Sequence, residues 1–360
     1  MSLLILNAGA VTSVGLTAQQ TCAAIRARIS GFQEAVPRVP PQEPLIGALV
    51  PAKDHVKKSP WNWFVNLAVR AIRECLQGRQ IDFSSTAIFI VLPALHRHHP
   101  ALNLNKQHDF LLAIEDILKQ RFHPKSLVAS GGSAESLRCL ALARQLLQAK
   151  TVSHCIVGGV DSLLNANDIH RLETSGRLYD GSKNPQGLIP GEGAAFMLLS
   201  QNIHQEDDHP LANVAGIGYS DEDATALGET FSTGIGMRKA LQNAVKDAQI
   251  EESQINLRVS DMNGERYRAW ESLISTSRFY STYRQHLCTW YPSTSVGDIG
   301  AAAGILMIIV AATGIFRGYS PGPIAMCEAS SEEGLRAACL IAPAPNAPNP
   351  PFHSKAVASL

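Results

Sequence analysis

Along the first two hundred residues, two periods of hydrophobicity alternate. Short apolar runs recur in "SLLILN" from Ser2, "TAIFIVLP" from Thr86, "SLVAS" from Ser126, "HCIVGGV" from His154 and "GAAFMLLS" from Gly193. Runs of this kind, with no polar alternation, predict strands buried on both faces. Between them the apolar residues return every three or four positions. This spacing predicts helices in "TAQQTCAAIRARI", "NWFVNLAVRAIRECLQ", "DFLLAIEDILKQRF" and the stretch from Ala134 to about Ala149. Residues 201 to 210, "QNIHQEDDHP", are polar, acidic and end in proline, which predicts a linker.

After the linker the pattern restarts. "ANVAGIGYS" predicts a strand, "GMRKALQNAVKDAQ" a helix and "NLRVSDM" a strand; an apolar helix over 299 to 316 and the strands "PIAMCEA" and "RAACLIA" follow. "AIRECLQGRQIDFSSTAIFIVLP" parallels "ALQNAVKDAQIEESQINLRVSDM", each an amphipathic helix, a polar turn and a strand. The helix near 134 to 149 with its two following strands parallels 299 to 316 with its own two. The expectation is an α/β fold of two related halves, 1–200 and 211–343, joined by the linker 201–210. Residues 344–360 are proline-rich and sparse in core residues, which predicts a disordered tail.

The segment 299 to 316 has no charged residue over eighteen positions, the lower limit for a membrane span. Five alanines, three glycines and the abutting Asp298 favour a core helix packed closely on all sides. The N-terminal "MSLLILNAGAVTSVG" lacks a basic region and has a short apolar run, so it reads as a strand and turn, not a signal peptide.

Composition narrows the picture without naming a partner. Basic and acidic residues balance at 31 each, which leaves no footprint for nucleic acid or a membrane surface. Only 17% of residues are charged against 45% hydrophobic, consistent with much buried surface and with oligomerisation. The seven cysteines are scattered and form no C-x-x-C pair, so they read as reduced thiols in a cytoplasmic protein. Neither a cofactor nor a metal site is expected.

"ASGGSAESLRC", residues 129 to 139, poses the chemical question. Ser133 follows a double glycine at a strand-to-helix turn, where a nucleophile could be presented. Glu135 stands where a nucleophile elbow requires glycine, however. The simpler reading makes Ser133 the helix N-cap, with Glu135 in the first turn facing the positive end of the dipole.

Four stretches in order resemble the β-ketoacyl-acyl-carrier-protein synthases of the thiolase-like superfamily: "NAGAVTSVGLTAQQTCAAIRARISGF", "IVGGVDSL", "RLYDGSKNPQGLIPGEGAAFMLL" and "STSVGDIGAAAGIL". The resemblance spans about residues 2 to 343. It implies a thiolase-like fold of two pseudo-twofold βαβαβ-type halves in α-β-α-β-α layers. Members of that family act with a cysteine nucleophile at a helix N-terminus, where the dipole favours the thiolate, and with two histidines.

Counting back from Gly158 by the family's spacing reaches Ser133 at the nucleophile position. In the His-Gly-Thr-x-Thr loop Asn263 replaces the histidine and both threonines are missing. After Gly297, Asp298 replaces the second histidine, and Ser293 replaces the lysine. The gating Gly-Phe-Gly-Gly-x-Asn loop falls near 329 to 334, where "ASSEEG" stands. Ser133, Asn263 and Asp298 are thus expected at the triad positions of a degenerate, inactive member.

A serine needs a base, and neither an amide nor an ionised carboxylate serves well. Cys139 as a displaced nucleophile would lie about two turns into the helix, away from its dipole. The histidines of "LHRHHP", His96 to His99, have no carboxylate or cysteine at metal-ligand spacing and read as a surface loop. Glu192 resembles a structural residue of the family, and Trp61 and Trp63 read as core or interface anchors.

The expected role is a binding, chain-length-factor-like or scaffold subunit. It would form a homodimer, or a heterodimer with an active ketosynthase-like subunit, with acyl carrier protein as a further partner. The family's pairing axis runs by the sheet around "SHCIVGGV". The competing expectation is an acyltransferase or acyl hydrolase using Ser133, with a protonated Asp298 or a histidine from elsewhere in the chain.

Overall fold

A computed structural model describes residues 3–36, 44–52, 59–102, 107–181, 183–202 and 209–345. Most of the expected linker and all of the expected tail after residue 345 lie outside the described residues.

The first half of the chain runs β1 (Leu4–Val11), α1 (Ala18–Arg26), β2 (Phe32–Val36), β3 (Leu45–Ala48), α2 (Pro60–Leu76), β4 (Thr86–Leu92), α3 (Gln107–Leu118), β5 (Leu127–Ser130), α4 (Ser133–Gln148), β6 (His154–Ser162), α5 (Ala166–Thr174) and β7 (Glu192–Ser200). The second half continues with β8 (Ala212–Asp221), α6 (Ile235–Ala248), β9 (Leu257–Ser260), α7 (Arg266–Phe279), β10 (Cys288–Trp290), α8 (Ser293–Val296), α9 (Ala303–Phe316), β11 (Ala325–Ser330) and β12 (Leu335–Ala342).

Ten strands hydrogen-bond in the order β10-β9-β11-β12-β8-β1-β7-β6-β4-β5, while β2 and β3 form a separate ribbon. The order is palindromic about the β1–β8 pair. β4 runs parallel to β5 and β6, and β7 is antiparallel to β6 and β1. Likewise β9 runs parallel to β10 and β11, and β12 is antiparallel to β11 and β8. The helix–strand units that repeat in the sequence therefore occupy corresponding places.

The continuous apolar runs are explained by burial from both sides: every residue of β4, β6 and β7 is buried. One apolar cluster gathers α4 and α9 between the halves, another packs α2 and α3 on the outside, and a third packs α6 on the opposite outside. The apolar segment 299–316 forms α9 and the turn before it, and nearly all of α9 is buried in protein. Among the described residues no helix is long and apolar enough to cross a membrane.

Gly304 sets the closeness of the central pair. A Cβ there would collide with the Ser133 carbonyl and the Ser136 hydroxyl of α4. Three helices escaped the hydrophobic pattern: α5, α7 and the four-residue α8. The buried stripe of α7 is Arg268, Glu271, Ser275 and Phe279, at helical spacing but mostly polar. Periodicity of hydrophobicity cannot reveal such a helix.

Candidate functional site

The N-terminus of α4 is the natural starting point. Gly132, not Ser133, is its N-cap; Ser133 is already the first helical residue. The expected capping role is therefore corrected. The Ser133 hydroxyl turns away from the helix and donates to Asp261 Oδ2 at 2.5 Å, with the Ser330 carbonyl at 3.2 Å. Parallel pairing of β9 with β11 brings their ends together at this point. Asp261 follows β9 and also accepts the Ser330 N–H at 2.7 Å. Burial raises the Asp261 pKa, opposed by Arg268 and by the Ser133 hydrogen bond.

The next donor of the helix terminus is also taken up, as the Ala134 N–H donates to Ser331 Oγ at 3.2 Å. Cys139 lies within α4, and burial raises its thiol to about 12, so it stays protonated at neutral pH.

Asn263 and Asp298 meet each other instead of Ser133. Asn263 Nδ2 donates to Asp298 Oδ2 at 2.7 Å and to Glu265 Oε2 at 2.8 Å. The other Asp298 oxygen accepts the Gly300 N–H at 2.8 Å. The carboxylate that serves Ser133 is thus Asp261, not Asp298. Sequence reasoning missed it, although it stands two residues before Asn263 in "SDMNG".

The turn between β11 and β12 closes over this region. Glu332 accepts from His96 Nε2 at 3.0 Å and pairs with Arg171 Nη1 at 3.1 Å and Arg177 Nη2 at 2.7 Å. Burial alone would raise its carboxyl. The His96 hydrogen bond and the charges of Arg177, Arg171 and Arg97 hold it well below the usual range. Hydrogen bonds donated to Glu332 and Glu333 raise His96 to about 9.

The expectation of a plain surface loop at His96 to His99 is corrected accordingly. Arg97, from the same turn, is buried and reaches Asp161 and Asp168 at 2.7 Å each. His99 packs on the Phe64 ring at 4.5 Å, and burial lowers it to about 4. These carboxylates lie far along the chain, so local spacing carries no sign of them.

The space bounded by Ser133, Asp261, Asp298, Arg268, Ser331 and Glu332 is about 40 Å³. That holds a very few waters. Arg268 is buried beside it, 3.5 Å from Asp261, with Nε and Nη1 lacking hydrogen-bond partners among the described residues. A larger cleft of about 310 Å³ opens beside it, lined by Arg177, Glu265, Tyr267 and Phe231. Arg177, paired with Glu265 at 2.5 Å and Glu332 at 2.7 Å, stands between the two spaces.

Elsewhere, Glu192 accepts from Val50 N at 3.0 Å, Trp63 Nε1 at 2.9 Å and Ser162 Oγ at 3.3 Å. It braces β7 against neighbouring segments. Trp61 meets Phe110 edge-on at 5.5 Å. Among the described residues, no group of three His, Cys, Asp or Glu side chains could hold a metal ion.

β6 is an interior strand, flanked by β4 and β7. The open edge on that side belongs to β5, so any pairing across a twofold axis there would fall on β5.

No family model matches the chain. It is 24% identical over 229 residues to a phenolphthiocerol/phthiocerol polyketide synthase polypeptide of Mycobacterium tuberculosis. That match takes in 60% of the chain but only 12% of the relative's length. Among solved structures, the ishigamide ketosynthase/chain length factor superposes with a TM-score of 0.79 at 17% identity, covering 96% of this chain and 99% of that one. A type II polyketide synthase ketosynthase structure, in complex with its acyl-carrier protein, gives 0.79 at 15% identity, covering 95% and 99%. A ketosynthase in complex with its chain length factor, from Xenorhabdus doucetiae, gives 0.73 at 13%, covering 95% and 98%. The chain has the thiolase-like fold of the ketosynthases and chain length factors.

Proposed function

We propose that the protein is a non-condensing subunit of ketosynthase fold that acts by binding, in the manner of a chain-length factor. One observation carries this reading: the Ser133 hydroxyl is tied to Asp261 in a space of about 40 Å³, too small for an acyl chain. Three features support it. Asn263 and Asp298 hold each other, and neither is an imidazole that could assist decarboxylation. The Ala134 N–H faces a serine hydroxyl where an oxyanion would need it. Ion pairs fasten Glu332 across the gate position.

The partner we propose is a ketosynthase-fold protein, a second copy or an active paralogue, paired along β5. Residues of β5 are exposed or half-buried, and Leu127 projects to solvent. Acyl carrier protein would be a partner of the assembled pair. The test is condensation of an acyl carrier with malonyl carrier, by the chain alone and after mixing with a ketosynthase, alongside sedimentation analysis of each. Product from the chain alone would refute the proposal.

The 2.5 Å hydrogen bond from Ser133 to a buried carboxylate favours one second reading, an acyltransferase with Asp261 as its base. It requires an acyl adduct on Ser133, detected by intact mass after incubation with acyl donors and absent from Ser133→Ala. The lack of an adduct in the wild type would dismiss it.

A further inference from the structure

At the other end of α9 lies a cavity unrelated to Ser133. Ala303, at the start of α9, lines the Ser133 space, while Gly318, just past its end, lines this one. The helix has 14 residues, placing the two about 20 Å apart at the usual helical rise. The cavity measures about 610 Å³, within the range of small-molecule sites. It opens between the end of α1, the edge strand β10 and α9.

Its lining combines two chemistries. Trp290 and Tyr319 present rings 5.8 Å apart and tilted by 30°. Both rest on α9 at Gly314, where a Cβ would come within 2.8 Å of Trp290 and 3.3 Å of Tyr319. The Arg26 guanidinium lies over the Tyr319 ring at 4.3 Å, and Arg28 stands beside it on the rim. None of the described lining residues is acidic, and neither arginine forms an ion pair among the described residues. The dipole of α1 accounts for a cation near its C-terminus. It does not account for aromatic rings and open volume facing two guanidinium groups that no described carboxylate neutralises.

We propose that this cavity binds an organic anion carrying a planar ring, an aryl phosphate or an aryl carboxylate. The ring stacks on Trp290 and Tyr319, and the anion is held by charge-assisted hydrogen bonds from Arg26 and Arg28. The proposal is independent of what the Ser133 region does.

Calorimetric titration of the full chain tests it. 1-Naphthyl phosphate and 2-naphthoate serve as probes, inorganic phosphate as the anion alone and 2-naphthol as the ring alone. Saturable binding of a ring-bearing anion is expected, weakened about tenfold or more when either ring or charge is omitted. The stronger of the two probes identifies the head group. Arg26→Ala/Arg28→Ala should weaken binding about tenfold or more, with an unchanged melting temperature because both side chains are exposed. Gly314→Ala, which displaces Trp290 without altering charge, should weaken it as well. No saturable binding of either probe would overturn the proposal. So would equal affinity in the double arginine variant, or binding of phosphate or naphthol as tight as that of the probes.

Discussion

Replacing Glu332 by alanine would remove the carboxylate on which His96, Arg171 and Arg177 converge. The Glu332 side chain is 16% exposed, while those of Arg171 and His96 are 22% and 28% exposed. Taking one partner from a fully buried pair costs about 3–5 kcal/mol, and an exposed pair contributes about 0–1. Glu332 stands between these limits, so E332A should lose about 2–4 kcal/mol in urea unfolding at neutral pH. E333A, whose carboxylate is 38% exposed and among the described residues pairs only with His96, should lose about 1 kcal/mol or less.

The pH dependence follows from the sign of the shift. The Glu332 carboxyl is held below its unfolded value of 4.5, so its stabilisation is complete above that pH. It disappears as the pH falls through the depressed folded value. The gap between wild type and E332A should therefore close in acid, and above pH 6.5 it should also narrow as His96 loses its proton. A gap under about 0.5 kcal/mol at pH 7, or one equal to that of E333A, would refute this account of the turn between β11 and β12.

Gly304→Ala should force α9 away from α4 and cost about 1–3 kcal/mol, read as a fall in melting temperature. Glu192→Ala strands the Val50 N–H and Trp63 indole donors in the interior. At about 1–3 kcal/mol for each orphaned group, urea unfolding should show a loss of about 3 kcal/mol. His96 is raised from 6.5 to about 9, so its stabilising charge is fully present below pH 6.5 and lost as the pH rises through 9. The advantage of wild type over His96→Gln should follow that course, and an advantage independent of pH would count against the ion pairs.

The fold was largely legible because its signals are local. The runs in β4, β6 and β7 betray strands covered on both faces, and alanines and glycines in α9 betray close packing. For the site, the sequence offered residue identities without their contacts. "SDMNG" offers Asn263, and "VGDIG" offers Asp298. Nothing in either shows that these two side chains bond to each other while Asp261 takes the Ser133 hydroxyl. "LHRHHP" misled for the same reason: its carboxylate partners, Asp161, Asp168, Glu332 and Glu333, are all distant in sequence.

By itself, then, the sequence determined the alternation of strands and helices, the duplicated plan and which residue types stand at 133, 263 and 298. Hydrophobic periodicity and residue identity are properties of short stretches and can be read without coordinates. Only the tertiary structure decided that Gly132 caps α4, that Ser133 points at Asp261, and that Glu332 gathers His96, Arg171 and Arg177. Those outcomes depend on which chain ends β9, β11 and α4 bring together. Hydrogen bonds and ion pairs act over a few ångströms in space, across separations such as the 128 residues between Ser133 and Asp261.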